Sequence, residues 1–180
     1  MSTTFILGGA RSGKSRLAQE LAAKSGKRVL FVATGEPRDE EMRARILSHQ
    51  KSRPATWRTL EAPTGLAKAI SKEIGDAQVV IIDCITLLVS NLMGDENVDA
   101  ETLEKRVNAE LKSLTSLMQK ISVRFIIVSN ELGLGLVPPY PAGRVYRDAL
   151  GVANQMLTRQ ADEVYFMVAG IAIPLKGEPG

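Results

Sequence analysis

The chain has 180 residues, a formal net charge of +3, 44% hydrophobic and 24% charged residues, the size and composition of one soluble globular domain with a sizeable core. No apolar run reaches the roughly eighteen residues of a membrane span, no basic-then-apolar leader opens the sequence, and a single cysteine, Cys84, excludes an internal disulfide and fits a reducing cytoplasm. The mild positive charge suits a polyanionic small ligand such as a nucleotide and does not demand nucleic acid.

Apolar, β-rich runs occur at Thr4–Leu7, Arg28–Ala33, Val79–Asp83, Arg124–Ser129 and Glu163–Val168. The third and fourth are continuously apolar, which predicts strands buried on both faces, as in a parallel sheet covered by helices. Thr56–Leu60 predicts a further short strand. The ending "VYFMVAGIAIPLK" predicts a hairpin turning near Gly170, with one antiparallel edge strand. Helical spacing is clearest between residues 100 and 121, where Leu103, Val107, Leu111, Leu114, Met118 and Ile121 share a face. Strand and helix in alternation give an α/β fold. No repeat or linker divides it, so residues 1–180 read as one nucleotide-binding domain with a short frayed tail at 177–180. In such a sheet, ligands bind beyond the carboxyl ends of the strands.

After the first strand stands "GGARSGKS", Gly8 to Ser15, which fits G-x-x-x-x-G-K-[ST]. Gly8 and Gly13 let the backbone turn tightly, so the amides of Gly9, Ala10, Arg11 and Ser12 can face phosphate oxygens. Lys14 reaches the β and γ phosphates, and Ser15 ligates magnesium. A helix with Leu17 and Leu21 on one face follows, and its dipole favours the same anion. These features predict nucleoside triphosphate binding. The strand "VVIID" ends on Asp83, placed to hold magnesium directly or through water; a carboxylate that merely ends a strand is the alternative. Asn130 and Glu131 follow the fourth strand and either face the same crevice or belong to an ordinary surface loop.

Asp39 to Gln50 predicts a helix with an acidic first turn. It carries the only histidine, His49, on the face of Met42 and Ile46. That position suits a hydrogen-bonded histidine near the core. Arg45 lies one turn earlier, and Lys51 and Arg53 follow directly. These cations make a phosphate-binding environment and hold the imidazole pKa at or below about 6.5. A neutral imidazole can attack a bound phosphate. The residues by themselves leave both roles open.

Together, "GGARSGKSR", "DEEMRARILSHQKSRPATWRTLE", "IIDCIT", "VSNELGLGLVP", "RVYRDALGVANQML" and "ADEVYFMVAGI" resemble the bifunctional adenosylcobinamide kinase/adenosylcobinamide-phosphate guanylyltransferase family of coenzyme B12 biosynthesis, over nearly the whole chain. The resemblance implies a P-loop NTPase fold with a RecA-like, mostly parallel sheet. It implies that ATP or GTP phosphorylates adenosylcobinamide. GTP then guanylylates His49, and GMP passes to adenosylcobinamide phosphate. It also implies that Thr34, Gly35, Glu36, Gln50, Lys51, Ser52, Arg53, Glu61 and Asp83 border the nucleotide with Gly8–Ser15. Magnesium would sit on Ser15 and Asp83, and the protein would be a cytoplasmic homotrimer. Some relatives carry glutamate where this chain has Asp83. Two other functions fit parts of the pattern: a plain P-loop kinase with a structural histidine, and a RecA-like ATPase that binds nucleic acid. The second is poorly served by an aromatic content of 4%, which leaves few platforms for stacking bases.

Overall fold

The computed structural model describes residues 2–36, 40, 43–44, 50, 53–94 and 98–177. The predicted helix Asp39–Gln50 falls largely outside them, as do His49, Lys51, Ser52 and the tail at 178–180.

Twelve elements follow one another in the described residues: β1 (Thr3–Gly8), α1 (Lys14–Lys24), β2 (Val29–Ala33), β3 (Arg58–Glu61), α2 (Leu66–Glu73), β4 (Val79–Asp83), α3 (Ile85–Met93), α4 (Ala100–Lys120), β5 (Arg124–Val128), α5 (Pro141–Gln160), β6 (Glu163–Val168) and β7 (Ile171–Lys176). The strands form one sheet in the order β3-β2-β4-β5-β1-β6-β7. All neighbours pair in parallel except β6 and β7, which form the antiparallel edge the sequence predicts. The hairpin turns through Ala169 and Gly170, both at positive φ.

The inner strands β1, β2, β4 and β5 are largely apolar and buried because successive side chains enter two different cores. Phe5, Leu30, Val32, Val80, Ile82, Phe125 and Ile127 face the larger one, shared with α2, α3, α4 and α5. Ile6, Val29, Phe31, Val79, Ile81, Ile126 and Val128 face the smaller one, beneath α1. The predicted stripe on α4 is buried at Leu103, Val107, Leu111, Leu114 and Met118. On α1 the fully buried side chains are Ala18 and Ala22, while Leu17 and Leu21 pack beside them. The small alanines let this helix lie close to the sheet. The predicted strand at Thr56–Leu60 begins later, at Arg58, because the Trp57 amide donates to the Pro54 carbonyl at 3.0 Å and holds residues 54–57 in a turn. No helix among the described residues is long and apolar enough to cross a membrane.

Candidate active site

Parallel pairing brings the ends of β1 through β6 to one edge of the sheet, and the described residues among those singled out in the sequence gather there. Gly8, at φ 150°, leaves β1 where a Cβ would meet the Met167 carbonyl oxygen at 2.5 Å and Ser12 Oγ at 2.8 Å. Only glycine lets the loop pass this close to β6. Arg11 at φ 55° and Gly13 at φ 99° complete the turn, and Gly13 caps α1 without a side chain, leaving first-turn amides to an anion. Lys14 is 7% exposed. Its Nζ donates to the Gly9 carbonyl at 2.5 Å and to Ser12 Oγ at 3.5 Å, so the ammonium is held inside its own loop. Two neighbours brace that loop: the Gly170 amide donates to Ser12 O and the Glu131 amide to Gly8 O, each at 3.0 Å. Ser15 stands in the first turn of α1.

A second group lies across β2, β3 and β4. Register pairs Ala33 with Asp83, which puts Thr34 beside Cys84. The Thr34 hydroxyl accepts from the Cys84 amide at 2.8 Å and donates to the Cys84 carbonyl at 2.7 Å. The peptide between Asp83 and Cys84 is cis. Asn91 of α3 donates to the Thr34 carbonyl at 2.8 Å and to the Pro63 carbonyl at 3.0 Å. The side chain of Thr34, expected at the nucleotide, thus fixes the strand that presents Asp83. Burial, then nearby Asp83, pushes the Cys84 thiol up to about 11. The ammonium of Lys14 opposes that shift, which puts its charge within electrostatic reach of this strand end.

Arg53 completes the group. Its guanidinium lies 3.6 Å over the Phe31 ring, and its buried Nε finds no hydrogen-bond partner among the described residues. Desolvation lowers its pKa, while the charges of Asp83 and Glu61 work against that shift. Gln50 Nε2 donates to Glu61 Oε1 at 3.4 Å. Gln50, Arg53, Glu61 and Asp83 therefore share one corner of the sheet edge, with Gly35 and Glu36 following Thr34 in partly buried positions.

Between the two groups runs β5, which pairs with β4 on one side and β1 on the other. A buried polar network fixes its end. Ser129 Oγ donates to Asn154 Oδ1 at 2.7 Å, and Asn154 Nδ2 to Asn130 O at 3.0 Å. The Asn130 amide donates to Thr86 Oγ1 at 2.8 Å, and the Tyr146 hydroxyl to Thr86 O at 2.9 Å. Sequence reading missed Asn91, Asn154, Thr86 and Tyr146. The available signal was an asparagine on the apolar helix "ITLLVSNLM" and another on the buried face of "RVYRDALGVANQML", since buried amides require partners.

A family model for cobinamide kinase / cobinamide phosphate guanyltransferase, named CobU, matches residues 4–175. The chain belongs to this family. The bifunctional adenosylcobalamin biosynthesis protein CobP of Pseudomonas aeruginosa is 43% identical over 175 residues, covering 97% of this chain and 98% of the relative. The bifunctional adenosylcobalamin biosynthesis protein CobU of Escherichia coli is 39% identical over 179 residues, covering 96% and 98%. That of Salmonella typhimurium is 38% identical with the same coverage. As a CobU-family member, the chain is a transferase of adenosylcobalamin biosynthesis. Among solved structures, the RadB recombinase superposes with a TM-score of 0.53 at 15% identity, covering 98% of this chain and 81% of that one. This likeness concerns the RecA-like fold alone.

The donor set fits a magnesium–nucleotide complex in this CobU-family site. Ser15 and Asp83 offer one hydroxyl and one carboxylate at the same sheet edge. Magnesium takes few protein oxygens when phosphates and water complete its octahedron.

Proposed function

We propose that this chain phosphorylates adenosylcobinamide with a nucleoside triphosphate and then transfers GMP from GTP, through His49, to the resulting phosphate. The product is adenosylcobinamide-GDP. The observation that carries the reading is a phosphate loop with a buried Lys14 on the same sheet edge as Arg53, Glu61 and Asp83. In the first half, the loop amides and Lys14 offset charge on the β and γ phosphates. In the second half, a neutral His49 nitrogen attacks the α-phosphorus and pyrophosphate leaves. A phosphate oxygen of adenosylcobinamide phosphate then attacks the same phosphorus, and the phosphorus–nitrogen bond breaks. Protonation makes the imidazole a good leaving group, and two displacements let one nucleotide site serve both halves. The chain has no other histidine for this role.

Arg53, half-buried on Phe31, is suited to a phosphate because a planar guanidinium offers a fork of donors. Gly35, Glu36, Gln50, Lys51, Ser52 and Glu61 border the nucleotide in this reading. Thr34 contributes through its backbone and through Cys84. Magnesium, held by Ser15 and Asp83, supplies charge neutralisation and orientation of the phosphates when bound. The reading places one domain in the cytoplasm as a homotrimer, acting on small molecules and not on nucleic acid.

The test is a product assay with purified protein, adenosylcobinamide, ATP, GTP and magnesium, resolved by mass spectrometry. Adenosylcobinamide-GDP is the expected product. Accumulation of adenosylcobinamide phosphate alone would reduce the protein to a plain kinase. ATP hydrolysis stimulated by single-stranded DNA, with no corrinoid product, would place it with nucleic-acid ATPases.

A further inference from the structure

A cleft of about 400 Å³ opens between the loop after β5 and the middle of α5, lined by Glu131, Gly133, Arg147, Asp148, Gly151 and Gln155 among others. Its lining includes none of the residues grouped around Arg53 and Asp83 and none of the phosphate loop. Glu131 links the cleft to that loop. Its amide donates to Gly8 O at 3.0 Å, while its carboxylate lines the cleft and accepts from the Gly133 amide at 2.5 Å. Gly133 has no side chain to displace that carboxylate, since a Cβ there would meet Glu131 Oε1 at 2.8 Å. Because β5 lies between β4 and β1, Glu131 stands between the strand that presents Asp83 and the strand that presents the phosphate loop.

The cleft is bordered by polar groups, with Arg147 paired to Asp148 at 3.2 Å and Gln155 beside them. The loop that forms its other wall exposes Leu134, Leu136 and Tyr140, which are 81%, 97% and 75% accessible. The base of that loop is fixed: Arg144 Nη1 donates to the carbonyls of Pro138 and Pro139 at 3.1 and 2.9 Å. At about 400 Å³ the cleft can take one polar end of a large acceptor, and the apolar crest of the loop lies outside its lining.

We propose that this cleft receives the hydroxyl-bearing end of the alcohol acceptor of the kinase step, with Glu131 as the general base that takes its hydroxyl proton. The inference rests on the kinase activity proposed above. As the hydroxyl oxygen bonds to the γ-phosphorus, its proton passes to Glu131. The bond from that phosphorus to the β–γ bridging oxygen breaks, and the nucleoside diphosphate leaves with the electron pair. A positioned general base contributes about 10²- to 10⁴-fold to such a step.

Two variants of the full chain test this with adenosylcobinamide and ATP. Glu131→Gln keeps the acceptor oxygen for the Gly133 amide but cannot take the proton. It should lower kcat at least about 100-fold, while KM for ATP holds. Gly151→Leu projects into the cleft, because a Cβ at Gly151 meets nothing within 4 Å. It should raise KM for adenosylcobinamide at least tenfold with kcat far less affected. Guanylylation of each variant by GTP alone reports on fold and nucleotide site. A Glu131→Gln enzyme with wild-type kcat, or a loss of kinase and guanylylation together, would overturn the role of Glu131. A Gly151→Leu enzyme with unchanged KM, or one whose oligomeric mass changes at unchanged KM, would overturn the cleft as acceptor site. If wild-type protein does not phosphorylate adenosylcobinamide at all, the parent reading fails, and this inference with it.

Discussion

Thr34→Val replaces a hydroxyl with a methyl of nearly the same size at a position that is 0% exposed. Two hydrogen bonds to Cys84 disappear, but their consequences differ. The Cys84 carbonyl also accepts from the Leu88 amide at 3.2 Å and stays satisfied. The Cys84 amide donates to Thr34 Oγ1, and valine offers it nothing in return. An orphaned buried donor costs about 1–3 kcal/mol, so a loss of about 2 kcal/mol is expected. With a urea m-value of about 2 kcal/mol/M, the unfolding midpoint should fall by about 1 M at unchanged m. Thr34→Ser keeps the hydroxyl and loses one methyl, costing about 0.8 kcal/mol, so its midpoint should lie between the two. Urea titration of the three proteins by circular dichroism checks this order. A Thr34→Val protein as stable as wild type would refute the assignment of Thr34 as the fastener of the Asp83 strand end.

Two further outcomes are expected. Gly8→Ala sets a Cβ at 2.5 Å from the Met167 carbonyl oxygen, and backbone on both sides must shift. GTP affinity by calorimetry should fall at least about tenfold, a loss of about 1.4 kcal/mol, with a lower melting temperature; wild-type values for both would contradict the close passage of loop and β6. Cys84, raised to about 11 by burial and Asp83, should react with a disulfide reagent at pH 8 roughly 100-fold more slowly than an ordinary thiol of pKa about 8.5. Because the folded thiol holds its proton longer than the unfolded one, its contribution to stability is complete below about pH 8.5 and declines as pH rises toward the folded value. Equal labelling of native and urea-unfolded protein at pH 8 would contradict the shift.

Much of the site was legible because its chemistry is local. The phosphate loop occupies eight consecutive residues, and the spacing of its glycines, lysine and serine announces the backbone turn that the structure shows. The β4 and β5 strands were legible from unbroken apolar runs, which alternate between two cores and so carry no polar face. The start of β3 was misplaced because the turn from Pro54 to Trp57 competes with strand pairing. The more important omission is non-local. Thr34 meets Cys84 only through the pairing of β2 with β4, and Asn154 meets Ser129 only when α5 lies over the end of β5. Neither partnership leaves a pattern at fixed spacing in one segment. Glu131 was visible as a polar residue after a strand, but its place between the phosphate loop and Asp83 depends on strand order. The helix expected to carry His49 lies largely outside the described residues, so its nucleophilic role rests on chemistry and kinship.

Mass spectrometry of the protein after incubation with GTP and magnesium addresses that role most directly. The account predicts one GMP per chain, labile to acid, on the peptide that carries His49, and none on a His49→Ala variant. An unmodified wild-type protein with GTP demonstrably bound, or an adduct equally abundant in the variant, would contradict it.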